Sequence, residues 1–445
     1  MSPKNETPSN IVKGSPSKEL FITMLTRDIT LIDAISDLVD NCVDGGIRLK
    51  GRGKFTGLKV DITVTDDCFR IKDNCGGIDK ELAQKYAFRF GRPLDAGQID
   101  YSVGQFGIGM KRALFKMGKH FEIKSVSPKA SFTIEIDIDK WSEKKDEWDF
   151  EFNEVTEKKF PLKERGTEIT VRSLNPDVIE RFKQKNFQSQ LREKLSLQHL
   201  MNISRGLTIK INTLTIRPNQ LKFLNGNNFT TAYWAKTYKL YGNTDVKIYA
   251  GIGTQDLNMG GWYIFCNNRL IEGPEQTQVT GWGTEDTVKI PKYHHQFSRF
   301  RGVVLFESKM PSFLPWNTSK TSADTDSPLF QSVRLEMVHL MRPVITFLNK
   351  VHSESVKFEN AKLYEKYLQN KIDRATLVEY SKVKKSSTFT APTQKQETRK
   401  ISEVKIMYVK TKDNVEKLKK VFQVSSSHEV GEKTFDYAYD RECKE

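Results

Sequence analysis

The sequence predicts an α+β fold: a helix-and-sheet sandwich, then a second α/β domain and a helical C-terminal extension. Apolar residues recur at helical spacing from Leu31 to Val43, which indicates an amphipathic helix early in the chain. Hydrophobic side chains then alternate over 60–64 and 69–71 around an acidic turn, which is typical of an antiparallel hairpin. A chain of 445 residues exceeds one compact core, so two or three domains are expected.

The residues that flank the first helix indicate where it begins and ends. Thr30 and Asp33 have the spacing of a capping box, and Gly45-Gly46 is predicted to end the helix. Strands of the first domain are predicted at 120–126, 131–139 and 168–171, and a second set at 207–211, 246–250, 262–266 and 302–306. Helical patterns cover 329–380, and a strand at 404–409 with a helix at 414–421 follows.

Amino-acid composition limits the classes of protein to which this chain can belong. Five cysteines without a CxxC pair favour a reducing, cytoplasmic setting without structural zinc. The polar segment 1–15 lacks the pattern of a signal peptide, and no stretch approaches the roughly twenty apolar residues of a membrane span. A formal net charge of +15 favours a polyanionic partner such as nucleic acid, which would place the protein at the nucleoid or in a nucleus. The alternative is moderate basicity without such a partner.

An acidic stripe lies on the polar side of the first helix. Asp37, Asp40, Asn41 and Asp44 are spaced by three and four residues, so they share one face beside the apolar one. Clustered oxygen ligands suit Mg²⁺, which binds carboxylates together with water and substrate phosphates. A solvated acidic helix face is the alternative for the helix alone.

Three glycine-containing motifs follow the helix in order. Asp73-Asn74-Cys75-Gly76-Gly77 ends a predicted strand, where an aspartate can accept a hydrogen bond from a base edge and glycines let the backbone approach a ligand. The segment Gly104–Gly109 precedes a predicted helix, and its backbone N–H groups can bind phosphates there. Gly166-Thr167 opens the strand at 168–171. Each motif is weak alone, and their order at strand and helix edges is the specific signal.

Residues 31–171 resemble the Bergerat-fold ATPases of the GHKL superfamily, which includes gyrase B, the ninety-kilodalton heat-shock chaperones, histidine kinases and MutL. The matching segments are DLVDNCVD at 37–44, DNCGGI at 73–78, GQFGIGMK at 104–111 and GTEITV at 166–171. Within the superfamily, YAFRFGRP at 86–93 and the segment 103–123 are most similar to the microrchidia (MORC) group. A GHKL fold with ATP and Mg²⁺ as ligands is therefore expected.

The resemblance extends into the second domain. The segment GWYIFCNNRLIEG at 261–273 resembles a strand and turn of the transducer domain shared by MutL, gyrase and microrchidia proteins. The segment RGVVLFESKMPSFLPWNTSK at 301–320 resembles the transducer loop that presents a lysine to the γ-phosphate. The resemblance therefore implies that Lys320 contacts the γ-phosphate when the two domains close.

At the catalytic and base-binding positions the resemblance implies a role for each matched residue. Asp37 occupies the general-base position and Asn41 the Mg²⁺-binding position. Asp73 binds the adenine amino group, with Gly77 and Thr167 lining the same end. Hydrolysis by this set would rest on positioning and charge neutralisation.

At the phosphate end the resemblance implies that Gly104, Gly107, Gly109 and Lys111 enclose the triphosphate. Two positions elsewhere depart from the family pattern. Asp37 stands where glutamate is usual and is one methylene shorter, so hydrolysis is expected to be slow or to rely on Asp40. Cys75 replaces a glycine, which is tolerable unless that position requires a positive φ.

The resemblance covers about residues 20–350 and implies an ATPase domain at 20–175 and a transducer-like domain at 176–350. Outside that range, composition and periodicity predict a flexible arm at 1–19, a helical extension at 351–380, a basic linker at 381–400 and a small α/β module at 401–445. The expected function is Mg²⁺-dependent ATP hydrolysis that drives homodimerisation, as a clamp or switch acting on DNA, without a membrane. A heat-shock-type chaperone, a nucleotide-binding scaffold with little turnover and a histidine kinase are the alternatives.

Overall fold

The structure is a computed structural model that describes residues 12, 16–91, 100–104, 107–144, 147–226, 228–285, 289–360, 366–384, 386–393 and 406–443. The chain forms two compact units, 1–393 and 394–445. No helix in the described ranges combines the length and apolar character needed to cross a membrane.

The helices are numbered in chain order. They are α1 (Leu25–Arg27, continuing a π-helical turn at Leu20–Met24), α2 (Leu31–Lys50), α3 (Lys80–Leu82), α4 (Gly109–Met117), α5 (Ile138–Glu143), α6 (Pro176–Lys183), α7 (Phe187–Gln198), α8 (Leu200–Ser204), α9 (Pro328–Asn360), α10 (Tyr367–Asp373), α11 (Lys412–Phe422) and α12 (Ser427–Glu442).

The strands are numbered in the same way. They are β1 (Lys59–Val64), β2 (Phe69–Asp73), β3 (Gly118–Val126), β4 (Ala130–Asp137), β5 (Glu154–Glu157), β6 (Gly166–Leu174), β7 (Thr208–Ile211), β8 (Leu214–Thr215), β9 (Lys222–Asn225), β10 (Ala232–Tyr238), β11 (Thr244–Ile252), β12 (Gly261–Cys266), β13 (Arg269–Glu275), β14 (Phe300–Glu307) and β15 (Thr376–Glu379).

The first domain is a sandwich of helices on an eight-stranded sheet, in the order β5-β4-β3-β6-β2-β1-β7-β8. The predicted hairpin is confirmed, because β1 and β2 pair antiparallel with Val60 opposite Asp73. Helix α2 begins as predicted, since Thr30 accepts a hydrogen bond from the backbone N–H of Asp33. One hydrophobic core joins α2, α4, α6 and α7 to the sheet. This packing places the carboxyl end of β2 beside the polar side of α2.

The predicted end of α2 at Gly45-Gly46 is wrong, because the helix continues to Lys50. A Cβ on Gly45 would lie 2.9 Å from the carbonyl oxygen of Cys75, and one on Gly46 would lie 2.9 Å from Leu58. Both glycines therefore permit close packing of the helix against neighbouring segments, which a local helix-stop rule does not detect.

The second domain is built on a five-stranded sheet in the order β10-β11-β14-β12-β13. β12 and β14 pair parallel, and the other neighbours pair antiparallel. The long helix α9 packs against β11 and β14 and closes a second hydrophobic core that contains Trp262 and Trp282. β15 pairs with β9 in a separate two-stranded sheet.

Several elements differ from the local sequence prediction. The sequence predicts β7 as part of the second set of strands, but β7 joins the first sheet parallel to β1, because Ile209 and Ile211 complete that domain's core. β15 lies within the predicted helical extension. Inside the predicted linker, Val383 is buried and Thr390 pairs with Thr230. The domain boundaries stay predictions.

The second unit contains α11 and α12 within residues 406–443, and no strand is present in that range. The helix predicted at 414–421 is confirmed by α11. Ser426 and Glu429 form a capping box that starts α12. The strand predicted at 404–409 is absent over its described part, since 406–409 is exposed and pairs with no other strand there, and 404–405 lie outside the described residues.

Candidate functional site

A cavity of about 410 Å³ lies beside α2 and is bounded by β2, β6, the start of α4 and the loop that carries Lys320. Ten of the residues to which the resemblance assigns a role lie at its walls. They are Asp37, Asn41, Asp73, Gly77, Gly104, Gly107, Gly109, Lys111, Thr167 and Lys320. Lys320 lies about 150 positions beyond Thr167 in the chain, so tertiary folding alone places the two around one space.

Asp37 meets two cations at the start of α2. Arg112 of α4 donates from Nη2 to Asp37 Oδ2 at 2.8 Å. Lys320 Nζ lies 3.4 Å from Asp37 Oδ1 and 3.0 Å from Asp40 Oδ2. All four side chains are buried. Burial lowers the pKa of Lys320, but attraction to Asp40 and Asp37 outweighs burial and raises it overall. Lys320 therefore carries a full charge in this cluster.

Asp40 faces the second domain instead of the cavity, although the sequence placed it on the same stripe as Asp37. Arg269 of β13 donates from Nε to Asp40 at 2.8 Å and from Nη1 to the carbonyl oxygen of Lys320 at 2.7 Å. Burial raises the pKa of Asp40, while Arg269 and Lys320 lower it more, so the carboxylate stays ionised. Asp40 is not among the cavity-lining residues. The alternative that Asp40 serves as the base stays a prediction, and its pairing with Arg269 and Lys320 favours Asp37 for that role.

Asn41 and Asp44 continue the cavity side of α2 with different surroundings. The side chain of Asn41 is exposed to the cavity and has no hydrogen-bond partner in the described part of the chain. Asp44 is buried and accepts backbone hydrogen bonds from Val103 and Gly104, each at 2.7 Å. Burial raises the pKa of Asp44, and these two hydrogen bonds oppose the rise. Asp44 therefore anchors the segment that leads into the glycine-rich motif.

Asp73, Cys75, Gly77 and Thr167 form the other end of the cavity. Asp73 Oδ1 accepts a hydrogen bond from the backbone N–H of Cys75 at 2.7 Å. Burial raises the pKa of Asp73 to about 6, against hydrogen bonds from Cys75 and Thr167 that favour the ion. Gly77 has φ +76°, and a Cβ there would lie 2.0 Å from the carbonyl oxygen of Val126. Cys75 is buried and does not have a positive φ, so its replacement of glycine introduces no strain.

The glycine-rich motif leads into α4. Gly109 is the first residue of α4, and a Cβ there would lie 3.2 Å from Asp37 Oδ2. Residues 105 and 106 of the motif lie outside the described residues. Lys111 Nζ donates to the carbonyl oxygens of Ala87, at 3.1 Å, and Gly107. Burial lowers the pKa of Lys111 to about 7. Lys111 lines the cavity, but its amine is directed to backbone carbonyls.

The sequence analysis assigns no role to three residues that contact the site or the segments around it, which are Arg112, Arg269 and Asn267. Asn267 donates to the carbonyl oxygens of Ser102, at 3.3 Å, and Ser308, at 3.1 Å, so the second domain holds the segment before Gly104. The position of Arg112 three residues after Gly109 was a usable signal, since residues spaced by three share a helix face.

Residues 29–167 match the model of the family described as histidine kinase-, DNA gyrase B-, and HSP90-like ATPase. The match supports a GHKL-type ATPase domain for this part of the chain, and it includes every motif from Asp37 to Thr167. The second domain, with Arg269 and Lys320, lies outside the matched residues. A comparison with curated proteins found no match to the chain.

Proposed function

We propose that this chain binds and slowly hydrolyses ATP with Mg²⁺, and that the nucleotide controls the contact between its two domains. The observation that carries the proposal is the convergence of the ten predicted residues on one cavity, which the GHKL-type ATPase domain forms together with the loop that carries Lys320. The cavity has two chemically different ends. Asp73 supplies a hydrogen-bond acceptor at one, and Asp37, Arg112 and Lys320 supply charges at the other.

Helix α2 runs between the two chemically different ends of the cavity and contacts each of them. Asp37 lies near its start, and Gly45, eight residues later, packs against Cys75 in the loop after Asp73. At 1.5 Å per residue, the two ends are separated by about 12 Å along the helix axis. An extended nucleoside triphosphate suits such a site, with its base at Asp73 and its terminal phosphate at Asp37.

The donor set is compatible with Mg²⁺. Asn41 offers a carboxamide oxygen that is exposed to the cavity between the two ends of α2. Within the described ranges, no three His, Cys, Asp or Glu side chains form a metal-binding group. Mg²⁺ commonly takes one or two protein ligands, with water and substrate phosphates as the others, and Asn41 provides such a ligand. The bound ion would neutralise phosphate charge.

In hydrolysis, each residue at the end of the cavity that contains Asp37, the catalytic end, has a distinct role. Asp37 accepts the proton of the attacking water, and Lys320 offsets the negative charge that develops on the transferred phosphoryl group. Gly107 and Gly109 bind phosphate through backbone N–H groups, and no side chain caps the start of α4. The N–H of Gly104 is held by Asp44, so Gly104 contributes to phosphate binding through the close approach that its missing side chain permits. Because Asp37 is short and already paired with two cations, we expect slow turnover.

Contact between the domains supports a switch. Lys320 and Arg269 belong to the second domain, yet both bond carboxylates of α2. A phosphate that competes for Lys320 would change this contact directly. We further propose that ATP promotes homodimerisation and that the protein acts on DNA, in line with a formal net charge of +15.

The test is calorimetry of the full chain with ATP, ADP and a non-hydrolysable ATP analogue, with and without Mg²⁺, with phosphate release followed in parallel. We expect Mg²⁺-dependent binding of all three nucleotides and slow release of phosphate from ATP. The variant Asn41→Ala should lose Mg²⁺-dependent nucleotide binding. Asn186→Ala is the control, because Asn186 is exposed outside the cavity. Failure of the parent to bind any of the nucleotides would refute the proposal.

Sizing chromatography with the analogue tests dimerisation, and retention on duplex and single-stranded DNA at low salt tests the partner. A dimer that forms with the analogue but not with ADP supports the switch. Binding of unfolded polypeptide without DNA retention would favour the chaperone alternative.

A further inference from the structure

Arg112 is buried beside the catalytic end of the cavity and has unused hydrogen-bonding capacity. The residue is 7% exposed and lines the cavity. Its Nη2 donates to Asp37 Oδ2 at 2.8 Å. Its Nε is buried and has no hydrogen-bond partner among the described residues. An unpaired N–H of a buried guanidinium is costly, so this side chain is suited to a second, anionic partner.

The charges around Arg112 do not balance. The buried ion-pair cluster contains the cations Arg112, Arg269 and Lys320 and the carboxylates Asp37 and Asp40. Burial lowers the pKa of the adjoining His199 to about 4, so the histidine is neutral at pH 7. Among these five side chains the cations exceed the carboxylates by one, and the buried Asp44 nearby is bonded to backbone N–H groups instead of to a cation. An anion that enters the cavity beside Arg112 would therefore be attracted by a cluster with a positive charge in excess.

Arg112 also lies in the first turn of α4, and the backbone N–H groups at a helix start favour an anion. It is three residues after Gly109, on the same face of α4, and a Cβ on Gly109 would contact Asp37. The helix start has no side-chain cap, and both Gly109 and Arg112 line the cavity. Arginine suits phosphate because its planar donors can bind two oxygens together.

We propose that Arg112 is a ligand of the γ-phosphate and exchanges Asp37 for that phosphate when ATP binds. The inference rests on the proposed ATPase function. Before binding, Arg112 holds the carboxylate of Asp37 in an ion pair. After the exchange, Arg112 neutralises the terminal phosphate, and Asp37 is free to accept the proton of the attacking water. The exchange couples base activation to the presence of a third phosphate.

A purely structural role for the Arg112–Asp37 pair makes a different prediction. The pair would then hold α4 against α2, and its loss would weaken the binding of ATP and ADP alike. A γ-phosphate ligand affects only the nucleotide that carries that phosphate. The ratio of the dissociation constants for ADP and for an ATP analogue therefore separates the two roles.

The experiment measures both dissociation constants by calorimetry for the full-length parent and for Arg112→Gln, with a β,γ-imido analogue of ATP as the probe. We expect the affinity for ADP to change less than about threefold, and the affinity for the analogue to fall about 10- to 100-fold, the range for one charge-assisted hydrogen bond. Turnover should fall with it. Lys116→Gln is the matched control, because it removes the same charge from the same helix outside this cavity.

If Arg112→Gln loses affinity equally for both nucleotides, the ratio of the dissociation constants for ADP and for the analogue stays within twofold of the parent ratio. That result would overturn the inference. If Arg112→Gln does not fold, Arg112→Lys provides the test, because lysine keeps a cation for Asp37 but lacks the planar guanidinium that can bind two phosphate oxygens. For Arg112→Lys, the ratio of the dissociation constants for ADP and for the analogue should fall at least about threefold, and an unchanged ratio would overturn the inference. A parent that binds ADP with Mg²⁺ but shows no preference for the analogue would overturn this inference alone. A parent that binds neither nucleotide would overturn the proposed function as well.

Discussion

The substitution Lys320→Met removes one buried ammonium from the contact between the two domains. At an effective dielectric constant of about 20, charges 3.0 and 3.4 Å apart attract by about 5 kcal/mol each. Desolvation of the ammonium offsets most of this attraction, because moving an ion out of water costs several kcal/mol. Neither carboxylate is left alone, since Asp37 keeps Arg112 and Asp40 keeps Arg269, each at 2.8 Å. We therefore expect Lys320→Met to lower the free energy of unfolding by about 1–3 kcal/mol. A buried charge that loses its only partner costs more, ~3–5 kcal/mol.

The pH dependence of this loss has a defined sign. The pKa of Asp40 is lowered in the folded state, so its ion pairs stabilise the fold above the ordinary aspartate pKa, and this contribution is lost as pH falls through the folded-state pKa. The difference between parent and Lys320→Met should be constant near neutral pH and shrink below about pH 4.

Urea unfolding followed by circular dichroism and fluorescence measures the loss, provided that both probes report one transition. Lys309→Met is the matched control, because Lys309 forms an exposed pair with Asp100 at 3.5 Å, and such pairs contribute only about 0–1 kcal/mol. A loss for Lys320→Met no larger than for Lys309→Met would refute the stabilising role of the buried cluster. In the same variant, affinity for ADP should stay within about twofold of the parent, and turnover should fall about tenfold or more. Normal turnover would refute the contact with the γ-phosphate.

Four further outcomes are expected. Asn41→Ala should abolish Mg²⁺-dependent nucleotide binding without lowering the melting temperature, and calorimetry that finds parent-like affinity would contradict its role as a ligand. Asp37→Asn should keep ATP binding but lose phosphate release, because it removes the proton acceptor and preserves shape, whereas unchanged turnover would place the base elsewhere. Because the pKa of Asp73 is about 6, its carboxylate is protonated as pH falls, so adenine-nucleotide affinity should drop about tenfold between pH 7 and 5. Asp73→Asn should flatten that profile, and an equal slope in both proteins would exclude Asp73 as the titrating group. DNA affinity should fall steeply as salt rises, with little sequence preference, and an absence of DNA retention at low salt would contradict the proposed partner.

The predicted site residues were accessible from sequence because their chemistry is local to short motifs. Gly77 has a positive φ and contacts Val126 so closely that no side chain fits. Such a requirement can be met only by glycine, so the sequence shows a glycine four residues after Asp73, the proposed base-binding residue. The spacing of apolar residues along α2 and along the β1–β2 hairpin is also a local property, since it indicates which face of a single helix or strand is buried.

Local patterns were insufficient wherever a residue's role depends on a distant partner. Gly45-Gly46 indicates a helix end by local rules, yet these glycines let α2 pack against Cys75 and Leu58. The pattern of β7 predicts a strand but not its neighbour, because hydrogen bonding to β1 is settled only when the sheet assembles.

The sequence alone determined which residue types line the cavity and in which motifs they lie, because backbone freedom, helix periodicity and motif order are properties of adjacent residues. Only the tertiary structure decided the charge pairing. Asp37 and Asp40 are three positions apart on one helix, but one meets Arg112 in the cavity and the other meets Arg269 of the second domain. The physical reason is that an ion pair depends on the distance between charges, and residues 229 positions apart, such as Asp40 and Arg269, become neighbours only after both domains have packed.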